Sequence, residues 1–189
     1  MPRPCATTSA AFSAPMPELR EARAQDLPAL SQLTSWVWLQ TYADQGVRPA
    51  FAGHLHETFS PAALEAWLGP GHRCWLAEDQ GHLQGMIHVS LDSRCPVAWQ
   101  QAPEAEVGEL YVVPPVTRQG LGRALLAHAR GQLPDRALWL SVWAPNERAI
   151  AFYEREQGRR LGETWFELEQ QRHLNWIYGW PALAEGAGS

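Results

Sequence analysis

Residues 106–133 read EVGELYVV, then PPVTRQ, then GLGRALLAHARGQL: an apolar strand broken at Pro114 and Pro115, a glycine-containing turn, and a segment of helical periodicity. A strand that feeds a helix through such a turn constrains the fold more than any other stretch of the chain. Each proline lacks a ladder donor, so the sheet stops there. The first amides of the new helix have no intrahelical partner, and the helix dipole adds positive potential at the same point, which makes an anion site. Gly120 and Gly122 let a ligand approach the backbone, and Arg118 and Arg123 bracket the turn with cationic side chains. A diphosphate suits this arrangement. The competing reading is an ordinary βα connection whose glycines only permit a tight bend.

The flanking sequence supplies the rest of the fold. Glu18 to Ala22 reads as a strand, and Asp26 caps a helix that runs through Leu27, Leu30, Leu33, Val37 and Leu39 to about Tyr42. Residues 44–59 are mixed in character and assign to neither element. Ser60 and Pro61 read as N-cap and first residue of a short helix to Leu68, stopped by Gly69-Pro70-Gly71. HRCWLAED and LQGMIHVSL form a hairpin around Gln80-Gly81. Residues 96–104 are a loop. Strand 106–113, helix 122–133, strand 136–143 and helix 146–156 follow. LGETWFELE and RHLNWIYGW close the chain as a hairpin turned at Gln170-Gln171. The order β-α-α-β-β-β-α-β-α-β-β predicts an α/β fold with a mixed sheet of about seven strands and about four helices.

With 189 residues, 46% of them hydrophobic, the chain is long enough for one sizeable core and too short for two comfortable domains. The first seventeen residues are rich in Pro, Ala, Ser and Thr and predict a disordered lead, with Met16 an alternative start. The expected layout is a lead over 1–17, one domain over 18–181 and a flexible tail over 182–189. No apolar run approaches the roughly 20 residues a spanning helix needs, so the expectation is a soluble protein without a membrane partner; the cysteines, three and widely spaced, add the expectation of a reducing, cytoplasmic setting. The net charge is −5 and the 15 basic residues are scattered, which argues against nucleic acid. All 15 are arginine, which removes the Gly-Lys phosphate loop and any Schiff-base lysine. Cys5, Cys74 and Cys95 form no CxxC pair, so neither a disulfide framework nor a metal site is expected. A dinucleotide fingerprint is also missing: Leu125 stands where its third glycine belongs.

The segment LYVVPPVTRQGLGRALL resembles the acetyl-CoA signature of the GCN5-related N-acetyltransferases, and NERAIAFY, Asn146 to Tyr153, is similar to that family's Asn-x-x-Ala-x-x-Phe-Tyr helix. The resemblance covers roughly Glu18 to Trp180. It implies a single domain with a mixed, mostly antiparallel sheet, helices on both faces, and acetyl-CoA as cosubstrate. Tyr111, Val112 and Val113 are then expected to pair with the pantetheine arm. Arg118, Gln119, Gly120, Leu121, Gly122, Arg123 and Ala124 are expected to wrap the diphosphate, with Asn146 and Tyr153 completing the cofactor site. Two positions depart from the family pattern. Thr117 replaces the usual Gln or Arg of the loop, and the Gly that ends the second helix comes one residue late, at Gly158.

Acetyl transfer to an amine requires a free lone pair on nitrogen, stabilisation of the thioester oxygen and a proton for the leaving sulfur. The resemblance gives the last task to Tyr153, a phenol protonated at neutral pH, and the second to a backbone amide near Val112. Glu109 is the candidate base, because strand alternation puts it on one face with Tyr111 and Val113, opposite Leu110 and Val112. Glu106 competes for that role, and His88 on the third strand could also face the cleft, although a lone histidine on an alternating strand is more often packed or at the surface. Trp36, Trp38, Trp139 and Trp143 occupy core-like positions, while the first helix, with Trp36, Trp38 and Tyr42, lines the acceptor pocket in the family. The expected partner is a small-molecule amine, with LWLSVWAPNERAIAFYE and TYAD similar to the spermidine and spermine acetylating branch. A homodimer stays open, as does a binding module that holds acetyl-CoA without turnover.

Overall fold

The computed structural model describes residues 16–99, 103–168 and 171–183. Most of the expected lead and tail, and Gln170 of the closing turn, lie outside the described residues. Seven strands form one sheet in the order β1-β2-β3-β4-β5-β7-β6. They are β1 (Glu18–Glu21), β2 (His72–Asp79), β3 (His82–Ser90), β4 (Glu104–Val112), β5 (Ala137–Trp143), β6 (Arg159–Leu168) and β7 (Gln171–Trp180). The helices are α1 (Leu27–Tyr42), α2 (Pro49–Phe59), the one-turn α3 (Pro61–Leu64), α4 (Leu121–Gln132) and α5 (Glu147–Arg155). Among the described residues no helix is long and apolar enough to cross a membrane.

Local chemistry places several of these elements. Gln80 and Gly81 both take positive φ, 48° and 79°, the geometry that matches a two-residue turn to the twist of β2 and β3. Ser60 accepts a hydrogen bond from the Ala63 amide and caps α3. Asp26 stands at the N-cap of α1 but does not cap it; its carboxylate accepts from the Arg23 amide at 2.8 Å and from the Arg20 guanidinium. The unassigned stretch 44–59 proves to contain α2.

One hydrophobic layer lies beneath α4 and α5, with Leu121, Leu125, Leu126 and Ala129 packed on Ile87, Val89, Val107 and Leu140. The other lies beneath α1, α2 and α3, where Leu30, Leu33, Phe59 and Leu64 meet Leu76 and Met86. Each fully buried leucine contributes about 1.5–3 kcal/mol through removal of its surface from water.

The ladders are antiparallel except between β4 and β5, which run parallel and pair only at Glu104 with Ala137, Ala105 with Leu138 and Glu106 with Trp139. Beyond that seam β4 continues to Val112 and β5 to Trp143, and a gap opens between them. A bulge sets the direction of β4 side chains: Val107 pairs with Val89 and Glu109 with His88, leaving Gly108 as the extra residue. Val107 therefore packs beneath α4, whereas Glu109 turns to the opposite face with Tyr111 and Val113.

Candidate active site

The gap between β4 and β5 widens into a cleft of about 1170 Å³. Its walls are the end of β4 (Leu110, Tyr111, Val112), the start of α4, the end of β5 (Ser141, Val142, Trp143), the end of α1 (Val37, Gln40, Thr41, Tyr42) and one face of α5. The Val113 amide donates to the Gln84 carbonyl on β3 at 2.9 Å. In an antiparallel strand successive residues present their amides to opposite sides, so the Val112 amide points into the gap that β5 has left.

At the floor of the cleft α4 begins at Gly120, whose φ of 89° turns the chain into the helix without a side-chain cap. The amides of the first turn are therefore open to a ligand. Gly122 sits beneath them: a Cβ there would stand 3.3 Å from Phe152 Cζ and 3.4 Å from Cε2. A side chain at this position would press on the Phe152 ring, which would have to give by a few tenths of an ångström. Arg118, at φ 67°, and Thr117 line the same wall, but the Thr117 hydroxyl donates to the Pro114 carbonyl at 2.9 Å. The Arg123 Nε–H donates to both carboxylate oxygens of Glu156, at 2.8 and 3.0 Å, tying the start of α4 to the end of α5.

On α5, Asn146 caps the helix through its side-chain oxygen, which accepts from the Ala149 amide at 3.1 Å, and it also borders the cleft. Tyr153 lies two turns further on, packed edge-on against Trp180 with ring centroids 5.9 Å apart. Its hydroxyl has no hydrogen-bond partner among the described residues. Burial, with Tyr42 nearby, pushes the phenol well above its usual value. Burial does the same for Tyr111, helped by Glu109, Tyr42 and Tyr153, and for Tyr42 itself. Were Tyr153 the proton donor, it would be active only when protonated, so its raised pKa would extend activity upward: kcat should hold level through pH 9 and show no alkaline decline at a normal phenol value near 10. A pH–kcat profile checks this.

A family model described as the acetyltransferase (GNAT) family matches residues 30–158, which span α1, β2 to β5, the loop at Gly120 and α5. The chain belongs to the GNAT family of acetyltransferases. It is an acetyl-CoA-dependent N-acetyltransferase by that membership. It is 27% identical over 165 residues to the peptidyl-lysine N-acetyltransferase YiaC of Escherichia coli, covering 87% of this chain and 97% of that one. It is 50% identical over 54 residues to the ribosomal protein bS18-alanine N-acetyltransferase of the same organism, a stretch that spans 27% of this chain and 36% of the relative. Among solved structures, the fold matches PaiA N-acetyltransferase from Thermoplasma acidophilum in complex with coenzyme A. That match has a TM-score of 0.63 at 19% identity and covers 86% of this chain and 98% of that one. The crystal structure of the E. coli bS18-alanine enzyme matches with a TM-score of 0.62 at 23% identity, covering 88% and 94%.

The GNAT cleft gathers Tyr111, Val112, Arg118, Gly120, Leu121, Gly122, Arg123, Asn146 and Tyr153 on its walls. Gln119 and Ala124 belong to the same turn and first helical turn but do not border the cleft. Val113 is turned away, its side chain buried among α1 to α3 residues. Glu109 also lies off the walls, on the α1 to α3 face, where its Oε2 stands 2.8 Å from His88 Nδ1. Glu106 accepts from the Ser93 hydroxyl at 2.6 Å. Of the four tryptophans placed in the core by sequence, Trp38 and Trp139 are buried, Trp36 is 45% exposed, and Trp143 faces the cleft with its ring 5.5 Å from that of Tyr42. Sequence reasoning passed over Ser141, Arg148 and Arg155, which also border the cleft. Two signals were available: Ser141 is the only polar residue of β5, and Arg148 and Arg155 lie seven apart on one helical face.

The late glycine after Tyr153 has a structural explanation. Gln157 takes the left-handed position, φ 64°, that ends α5, and the Gly158 amide donates back to the Tyr153 carbonyl at 2.8 Å. A Cβ at Gly158 would lie 2.7 Å from Trp180 and 2.8 Å from that carbonyl. The Tyr178 hydroxyl on Glu154 and the Trp180 indole on the Glu156 carbonyl hold the same end. A non-glycine residue in this conformation costs roughly 1–2 kcal/mol. Gln157→Gly should therefore stabilise the protein by about 1 kcal/mol net of added unfolded-state freedom, raising Tm by about 2–4 °C; differential scanning calorimetry measures it.

Proposed function

We propose that the protein transfers an acetyl group directly from acetyl-CoA to a primary amine within a ternary complex. The observation that carries this reading is the Val112 amide directed into the β4–β5 gap, between the open first turn of α4 and the Tyr153 phenol. The gap fits acetyl-CoA because it offers strand-edge groups for an extended arm and uncapped amides for a diphosphate. Tyr111 and Val112 would hold the pantetheine arm; the turn from Arg118 to Ala124, with Arg148 and Arg155 nearby, would hold the phosphates. The bound thioester supplies the activated acetyl group. The Val112 amide donates to the carbonyl oxygen as it gains charge. Glu109, which lies off the cleft walls, takes a proton from the acceptor ammonium through a bridging water, so that the nitrogen lone pair is free to attack. The Tyr153 hydroxyl gives its proton to the leaving sulfur.

The acceptor side is formed by Val37, Gln40, Thr41, Tyr42, Tyr111 and Trp143, which present aromatic surface and no carboxylate. This lining suits a single amine on an apolar carrier, such as a peptide end or side chain, better than a spermidine or spermine chain bearing several cations. Two relatives are named for protein amines, which points the same way. The test is release of CoA, followed with a thiol reagent, across spermidine, spermine, amino-sugars, amino acids and peptides. A selective response among peptides is expected. Polyamine turnover alone would restore the polyamine reading. Silence across the panel with acetyl-CoA bound in calorimetry would favour a binding module.

A further inference from the structure

Glu109 stands at the end of a chain of polar side chains that the transfer chemistry above does not use. His88, its cross-strand partner, is 6% exposed, and its ring lies flat on Trp67 with centroids 4.2 Å apart and planes 7° from parallel. Its two ring nitrogens are both engaged: Nδ1 is 2.8 Å from Glu109 Oε2, and Nε2 is 3.0 Å from His72 Nδ1. Burying His88 in a layer of apolar side chains is costly unless it is hydrogen-bonded, and the half-buried Glu109 and His72 supply both of its bonds as one series.

We propose that His88 is a positioning residue for the Glu109 carboxylate and that His72 fixes the tautomer in which it acts. The inference rests on Glu109 serving as base. A carboxylate only accepts, so the hydrogen between the two groups sits on His88 Nδ1. In the neutral ring Nε2 then accepts, and the hydrogen between the rings sits on His72 Nδ1. One charge at the end of the series thus sets the hydrogens on two imidazoles. The hydrogen bond to Oε2 aims the Glu109 carboxylate, leaving Oε1, which has no partner among the described residues, for a water. The Gly108 bulge takes part in the geometry: a Cβ there would lie 3.0 Å from His88 Nδ1.

Titratable groups on the neighbouring strands face this series. Cys74, across β2 from His88, has its thiol pushed up to about 12 by burial and then by Glu109. Tyr111, two residues along β4, is held far above its usual value by burial and Glu109. Both stay neutral at physiological pH. His72 is held below its usual value by burial and then by His88, against the opposing pull of Asp92 and Glu109.

The test compares steady-state kinetics and kcat–pH profiles of the full-length protein with His88→Phe, His72→Phe, His72→Gln and Glu109→Gln. His88→Phe keeps a flat ring on Trp67 and removes the donor. It should lower kcat by about 10–100-fold, the range for partners that orient a working group, and leave the KM for acetyl-CoA unchanged. The acid limb of the profile should move to higher pH, because a carboxylate that loses a donor gains a proton more readily. His72→Phe should shift the limb the same way by less, and His72→Gln, whose amide N–H can donate, should restore it. Acid limbs that stay at the wild-type position in both phenylalanine variants would overturn the proposal; if His88→Phe does not fold, the His72→Phe profile decides alone. Glu109→Gln separates the two levels. Full turnover there removes the base reading and this inference with it, whereas an inactive Glu109→Gln beside wild-type profiles in both phenylalanine variants removes only the positioning role.

Discussion

Tyr153→Phe should lower kcat by about 10²–10⁴-fold, the usual contribution of a placed general acid, and leave acetyl-CoA affinity within a factor of about two by calorimetry. The separation follows from what the side chain touches. Its ring packs on Trp180 and near Tyr178, contacts that phenylalanine reproduces. Its hydroxyl bonds no described residue, so its removal leaves no buried group unpaired. The loss therefore falls on the transition state alone, about 3–5 kcal/mol at 1.36 kcal/mol per decade. Unchanged turnover would refute the assignment. A fall in both affinity and kcat would mean that the phenol helps to hold the cosubstrate rather than to release its sulfur.

The second large effect belongs to Gly122→Glu, which should weaken acetyl-CoA binding by more than about 100-fold, at least about 2.7 kcal/mol. Two effects combine. The new Cβ would press on Phe152 Cζ at 3.3 Å, a contact that yields only if the aromatic ring shifts by a few tenths of an ångström. The carboxylate then enters the space where the α4 amides converge and repels a diphosphate at short range. Gly122→Ala separates the causes, since it keeps the Cβ contact without the charge and should weaken binding far less. Retained affinity in the glutamate variant would place the phosphates elsewhere.

Much of this site was legible because its signals are local. Ser60-Pro61, Gln80-Gly81 and the run from Pro114 to Gly122 each fix backbone geometry through residues adjacent in sequence, and the structure follows them. What the sequence did not disclose depends on register and tertiary packing. Helix α2 escaped because PAFAGHLHETF carries a glycine and two histidines and buries only Phe51 and Phe59, so its stability comes from the layer it covers. Trp36 and Trp38 are two apart on α1 and point in nearly opposite directions, so one of them must leave the core. Periodicity does not reveal the bulge at Gly108, and only the β3–β4 register it produces joins His88 to Glu109 across 21 residues of sequence.

The short seam between β4 and β5 has a consequence for the life of the enzyme outside its catalytic cycle. Three residue pairs join the two halves of the sheet, and an extended ligand lying along β4, as proposed above, would act as a missing rung between them. Occupancy and rigidity then rise together: at a concentration 100 times Kd the ligand adds about 2.7 kcal/mol of stability by mass action. With acetyl-CoA as that rung, resistance to limited proteolysis should rise with cosubstrate concentration.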